Sequence, residues 1–189
     1  MKHPCNSIWQ RKFLELEVTH HDVQATATVA ESFCGRWFRN HTKDSLLVLF
    51  GNYGCGKTHI AQGIFDFCLR AAFKALESGH WGDTVPSCYY LPWPEAAAAM
   101  SEKQFGLVED AFKADLLVLD DVGAENDPWK ICADKLCQIL SRRERRFTVI
   151  TTNLAPEHWR EKFDGRINDR LMRNSVICDM SRVPSYSMK

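Results

Sequence analysis

The sequence predicts an α/β fold: a parallel five-stranded sheet flanked by helices. Three observations carry this expectation. Short, unbroken apolar runs such as Leu46–Phe50 and Leu116–Leu119 suit strands covered on both faces, as in a parallel sheet. The runs alternate with longer stretches whose apolar residues return every three or four positions, the helical period. A glycine-rich loop directly follows the first run and precedes such a stretch, and strand–loop–helix units of this kind build sheets with right-handed crossovers.

Taken in order, residues 1–21 read as a polar leader, 22–180 as one domain and 181–189 as a tail. The spacing of Ala27, Ala30, Phe33, Cys34, Trp37 and Phe38 predicts a helix over 23–39. Leu46–Phe50 is the first strand, and 57–76 a helix with Ile60, Ile64, Phe67, Cys68 and Ala71 on one face. A loop over 79–86 leads to a second strand at 87–91. An alanine-rich helix follows from near Pro94, broken around 104–106. Leu116–Leu119 is the third strand. Pro128 suits the first turn of a helix reaching to about Arg145, with Asp127 as its cap. A strand at 147–151, helices at 156–162 and 166–172, and a last strand at 176–178 complete the set.

At 189 residues the chain is long enough to bury a substantial core. A net charge of zero excludes a generalised polyanion binder, yet from Arg142 onward 11 Lys/Arg face 6 Asp/Glu. A basic final third suggests a local anionic partner, a charged subunit contact or simply a solvated surface. Among the eight cysteines there is no C-x-x-C pair, which argues against a zinc site. With no secretory signal and no apolar run of membrane-spanning length, the chain reads as cytoplasmic.

Gly51-Asn52-Tyr53-Gly54-Cys55-Gly56-Lys57-Thr58 fits G-x-x-x-x-G-K-[ST] at every specified position. Glycines let such a loop fold back so that its amide N–H groups face phosphate oxygens, and the following helix adds its positive end. Lys57 would reach the β- and γ-phosphates and the Thr58 hydroxyl would bind magnesium. Cys55 lies inside the loop, where alkylation is expected to fill the cradle.

Leu116–Leu119 ends in Asp120-Asp121. The C-terminal edge of a parallel sheet is where α/β folds bind ligands, so Asp120 is expected to hold magnesium and Asp121 to orient the attacking water. Val149-Ile150-Thr151-Thr152-Asn153 repeats the arrangement, placing Asn153 to hydrogen-bond the γ-phosphate or the water. The basic run Arg142-Arg143-Glu144-Arg145-Arg146 fits a nucleic-acid backbone contact, a subunit boundary near ATP, or cations complementing a helix C-terminus.

Together, Gly51–Thr58 with His59-Ile60-Ala61, Leu116–Asp121 with Val122-Gly123-Ala124-Glu125, and Thr151-Thr152-Asn153-Leu154 resemble the AAA+ core of P-loop NTPases. More narrowly, the chain resembles the clade of DnaC-type helicase loaders and IstB-type transposition helpers, over about residues 22–180. Gly165-Arg166-Ile167-Asn168-Asp169-Arg170-Leu171 is similar to that clade's arginine-finger box. The resemblance implies an ATPase using ATP and Mg2+, with Gly51–His59 at the nucleotide and Thr58 and Asp120 at the metal. It implies catalytic roles for Asp121, for Asn153 as first sensor, and for Arg170 as a finger acting on a neighbour's ATP, with Arg166 its competitor. It further implies an ATP-dependent homo-oligomer, a replicative DNA helicase or a transposase as client, and single-stranded DNA.

Three departures stand out. Asp121 replaces the commoner Glu, which would slow hydrolysis. Pro184-Ser185-Tyr186-Ser187 lacks a second-sensor arginine, and little or no separate C-terminal lid is expected. About 50 residues precede the glycine loop, room for one helix and a leader with Trp9 and Phe13. A small-molecule kinase and a nucleotide-binding module without turnover are the rival classes.

Overall fold

The structure is a computed structural model that describes residues 20–77, 86–125, 127, 130–163, 165–173 and 175–186. Its elements are α1 (His21–Phe38), β1 (Leu46–Phe50), α2 (Lys57–Glu77), β2 (Cys88–Pro92), α3 (Trp93–Ser101), α4 (Gly106–Lys113), β3 (Leu116–Val122), α5 (Ile131–Arg142), β4 (Phe147–Thr152), α6 (Trp159–Lys162), α7 (Gly165–Met172) and β5 (Ser175–Asp179). A 3-10 turn over Pro156–His158 leads into α6. The five strands form one parallel sheet in the order β2-β3-β4-β1-β5.

Alternation along the strands builds two cores. Leu46 and Val48 of β1, with Leu117 and Leu119 of β3, face the layer containing α3, α4, α5 and α7. Leu47 and Leu49, with Leu116 and Val118, face α1 and α2. Side chains alternate across a strand with period two, so a strand apolar throughout serves both layers. All five residues of β1 are buried, and each aliphatic side chain so covered contributes roughly 1.5–3 kcal/mol.

Element boundaries differ from the sequence expectation where capping decides them. α1 begins at His21 because the His20 imidazole accepts the Asp22 N–H. The break after α3 is made by Lys103, left-handed at φ 61°, with the Gln104 N–H donated back to Ala99 at 2.9 Å. α5 begins at Ile131, three residues later than expected, and ends at Arg142 rather than Arg145. The N-cap is Lys130, left-handed and without a side-chain cap bond, rather than Asp127, whose carboxylate instead accepts the Ala133 N–H of the first turn at 2.9 Å; Pro128 lies outside the described residues. Arg145 at φ 65° stops the helix. The leader with Trp9 and Phe13 and all of the 79–86 loop except Pro86 also lie outside the described residues.

Candidate nucleotide site at the C-terminal edge of the sheet

The loop between β1 and α2 turns back on Gly51, Gly54 and Gly56, all at positive φ. At Gly51 a Cβ would stand 2.7 Å from the Met180 carbonyl carbon, because the chain leaving β5 crosses directly over the loop. That crossing is fixed by the Met180 N–H on Phe50, the Asn52 amide on the Ser181 carbonyl at 2.8 Å, and the Tyr186 N–H on Gly54 at 3.1 Å. Cys55 is fully buried and belongs to the core beneath the loop. Its thiol therefore meets a reagent only if the loop opens, which corrects the expectation of a thiol lining the cradle.

Lys57 opens α2 and turns inward. Its ammonium donates to the Gly51 and Asn52 carbonyls at 2.9 and 2.7 Å. Thr58 beside it donates to Asp120 Oδ1 at 3.1 Å. A cleft of about 520 Å³ opens here, walled by Tyr53, Gly54, Gly56, Lys57, Thr58 and His59 on the loop side. Asp121 and Asn153 line it as well, and Tyr186 lies against Gly56 of the loop. Loop, strand-end acids and the end of β4 thus come together, while Asn52 and Cys55 face away from the cleft.

The strand-end acids owe their geometry to a bulge. Leu119 pairs with Ile150 but Val122 with Thr152, so Asp120 and Asp121 together oppose the single residue Thr151. Asp121 takes a left-handed φ of 60°, unusual for a residue with a side chain. Thr151 holds both: its hydroxyl accepts the Asp121 N–H at 2.8 Å and donates to Asp120 Oδ1 at 2.6 Å. On β2, the Tyr90 hydroxyl donates to Asp120 Oδ2 at 2.7 Å. Burial first, and then this bond, push the Tyr90 phenol far above its usual range, so it remains a donor. Asp120, itself buried, is thus fixed by three hydroxyls, those of Thr58, Thr151 and Tyr90. Thr151 and Tyr90 were not singled out from sequence as site residues. A threonine in a polar strand end is a weak signal, and Tyr90 shares no motif with Asp120.

Asn153 follows β4, and its carbonyl oxygen Oδ1 is buried without a hydrogen-bond partner. Buried polar atoms are rarely left so, and this one belongs to a residue lining the cleft. Gly54 and Gly56 line the cleft, and Thr58 beside Asp120 gives the hydroxyl–carboxylate donor set that suits Mg2+. The residues present therefore fit a magnesium-bound nucleoside triphosphate.

Arg166 and Arg170 lie elsewhere. Both are on α7, away from the residues lining the chain's own cleft. Arg166 pairs with Asp134 of α5 at 3.5 Å, both largely exposed. Arg170 lines a small pocket with Arg143, Arg145, Arg146 and Arg173. Within the basic run, Arg143 is buried and donates to Ala111, Ala114, Thr148 and Phe147. Burial, and secondarily the nearby Arg146, lower its pKa to about 10. Arg146 donates to Phe112 and Lys113, and Arg142 lies over the Phe112 ring. Cations do complement a helix C-terminus here, but it is the end of α4 rather than of their own helix.

The order of strands, the glycine loop after β1 and the acids ending β3 define a P-loop NTPase with an AAA+-type core. The sequence matches the family described as IstB-like ATP binding protein over residues 10–182, and the chain belongs to that family. Among solved structures it is similar to DnaI, at 20% identity and TM-score 0.64, covering 95% of each chain. It is similar to the DnaC helicase loader at 16% identity and TM-score 0.64, covering 85% of this chain and 91% of that one. A DNA replication initiation factor matches at 16% identity and TM-score 0.67 over 89% of this chain, which spans about half, 49%, of that longer protein. No match is found among curated proteins. Among the described residues, no helix is long and apolar enough to cross a membrane.

Proposed function

We propose that this protein is an ATP-hydrolysing switch that assembles through its nucleotide and delivers or remodels a replicative DNA helicase in the cytoplasm. The observation that carries the hydrolytic part is the hydroxyl-bound Asp120, with Asp121 and Asn153 lining the same cleft as Lys57. When bound, ATP brings a transferable γ-phosphate and Mg2+ neutralises its charge. Lys57 draws the terminal phosphates into the loop, and Thr58 and Asp120 hold the metal. Asp121 orients the attacking water, and the free oxygen of Asn153 accepts a hydrogen bond from it. Asp121 is a short carboxylate, so turnover is slow. Arg170, remote from its own cleft, meets the ATP of a neighbouring copy, which makes hydrolysis depend on assembly. The Arg166 guanidinium is engaged by Asp134 and is the weaker claimant.

Likeness in fold to DnaI and the DnaC helicase loader along most of the chain supports a helicase client, and likeness in fold to a replication initiator, DnaA, bound to single-stranded DNA supports single-stranded DNA at the assembly. The family description, IstB-like, favours a second reading, a transposase helper with the same engine. A pull-down from the native host with tagged Asp121→Asn protein, ATP and Mg2+ separates them. A replicative helicase captured only with ATP supports the loader. Capture of a transposase replaces the client, and the absence of any nucleotide-dependent partner sinks both.

A further inference from the structure

The first turns of α2 carry a polar side chain that the reaction described above does not use. Thr58, Gln62 and Phe65 follow one another at helical spacing and so share one face of α2. Both ends of this stripe reach the surroundings of Asp120. The Thr58 hydroxyl donates to Asp120 Oδ1 at 3.1 Å. The Phe65 ring meets that of Tyr90 edge-on, with 5.6 Å between centroids, and the Tyr90 hydroxyl donates to Asp120 Oδ2 at 2.7 Å. Gln62 stands between the two contacts and lines the cleft together with Thr58 and Asp121.

The Gln62 amide is oriented from the next turn of the helix, where its Nε2 donates to Asp66 Oδ1 at 3.2 Å. An ionised carboxylate only accepts, so Asp66 decides which way round the amide stands. Oε1 is left without a donor among the described residues. Asp120, by contrast, is nearly saturated. Each carboxylate oxygen offers about two acceptor sites; Oδ1 already takes Thr58 and Thr151, and Oδ2 takes Tyr90. Protein-bound Mg2+ keeps several of its waters, and each brings O–H donors that need acceptors. Asp120 cannot supply them all, so they fall to other acceptors on the cleft wall, of which Gln62 Oε1 is fixed in place and unused.

We propose that Gln62 is a positioning residue for the hydrated metal: Oε1 accepts a hydrogen bond from a magnesium-bound water, and Asp66 holds the amide with that oxygen toward the cleft. The role rests on the magnesium–nucleotide reading above. It also accounts for an amide at this position, since a glutamate would set like charges four residues apart on the helix, against Asp66.

The test is the ATP affinity of the full chain over a series of Mg2+ concentrations, read by calorimetric titration. Gln62→Leu keeps a good helix former of similar bulk and removes the acceptor. It should raise the Mg2+ concentration that half-tightens ATP binding about fivefold, as for one hydrogen bond, with magnesium-free ATP binding unchanged. Gln62→Glu, which keeps an acceptor there, should need no more Mg2+ than the parent. Asp66→Ala should raise the requirement about twofold at most, the scale of a helix pair four residues apart, and add nothing in the Gln62→Leu chain. A Gln62→Leu chain with the parent's Mg2+ requirement, or one that loses ATP affinity equally with and without the metal, would overturn the role. An Asp66→Ala effect undiminished in the Gln62→Leu chain would overturn Asp66 as the residue that sets the amide. If the parent itself binds ATP no better with Mg2+ than without, the magnesium reading fails and this role with it. A magnesium-dependent parent beside an unchanged Gln62→Leu chain condemns Gln62 alone.

Discussion

The two edges of the sheet use polar residues in opposite ways. At the C-terminal edge, Lys57, Thr58, Asp120, Thr151 and Tyr90 satisfy one another or the loop carbonyls, and among the cleft-lining residues described a buried carbonyl oxygen, on Asn153, is left over. At the N-terminal edge the positive groups outnumber the acids, and the leftovers are donors. A closed network holds its geometry before ligand arrives, the condition for a preorganised reaction site. One parallel sheet thus presents a closed polar network at one edge and an excess of positive charge at the other.

The largest effect should come from the N-terminal edge, and on stability. Arg143→Ala removes a buried guanidinium and strands the carbonyls of Ala111, Ala114 and Phe147. At about 1–3 kcal/mol per orphaned acceptor, partly relieved by water entering, the loss should be about 3–5 kcal/mol in chemical denaturation. ATP affinity of the folded fraction should stay unchanged. A loss below 1 kcal/mol would show that Arg143 is not the pin joining α4, α5 and β4.

Lys57→Ala tests the other edge. The lysine is buried and bonded only within its loop, so its removal should cost nucleotide affinity about a hundredfold, the scale of deleting one partner of a desolvated charge pair. Stability should move little, since Ala avoids burying an ammonium. Calorimetric titration with ATP reads the first and a melt the second. Parent-like ATP affinity would remove the phosphate loop from nucleotide binding.

How much of this was legible in the sequence follows the same division. The cleft is written in contiguous motifs: Gly51–Thr58, Leu116–Asp121 and Val149–Asn153 each end a strand on the same edge, so the sheet topology assembles them without further information. What joins them was not legible. Thr151 opposes the Asp120–Asp121 bulge across β3 and β4, and Tyr90 reaches Asp120 from β2, contacts that depend on strand order and on a one-residue bulge. The basic run was harder still. As sequence it reads as exposed charge, yet Arg143 is among the buried residues, a role set by the place where α4 happens to end. The five strands were placed to within a few residues because apolar runs mark them, while the ends of α3 and α5 were decided by Lys103 and Arg145 in left-handed conformations, which neither residue type announces.

Tyr90→Phe gives a smaller and sharper test. It deletes one of three donors to Asp120 and keeps the ring, which stacks edge-on to Phe65 at 5.6 Å. The expected cost is about 1 kcal/mol, near fivefold, in the Mg2+ dependence of nucleotide affinity, with magnesium-free ATP binding unmoved. An equal loss with and without Mg2+ would make Tyr90 a packing residue.

The smallest effect separates the two ends of a single strand. Cys88 begins β2 on the arginine side, and Tyr90 two residues on serves the cleft. Burial, and next the nearby Asp115, raise the Cys88 thiol from 9.0 to about 12. Burial likewise raises Cys132 to about 12, with Asp127 the next cause, and Cys178 to about 11. Below pH 9 the folded and unfolded chains both keep these protons. Between 9 and about 11–12 the unfolded chain releases them and the folded chain does not, so the folded state binds more protons and stability falls as pH rises. The loss is at most about 1.4 kcal/mol per thiol per pH unit, less at Cys88, which is only partly buried. Tyr90, raised by burial and held on Asp120, keeps its proton through that window. Melting temperature should therefore decline from pH 9 to 10.5 while ATP affinity holds, and Cys132→Ala should flatten the decline. If affinity falls in step with stability instead, the alkaline transition begins in the cleft, and the hydroxyl network around Asp120 is less rigid than its short bonds imply.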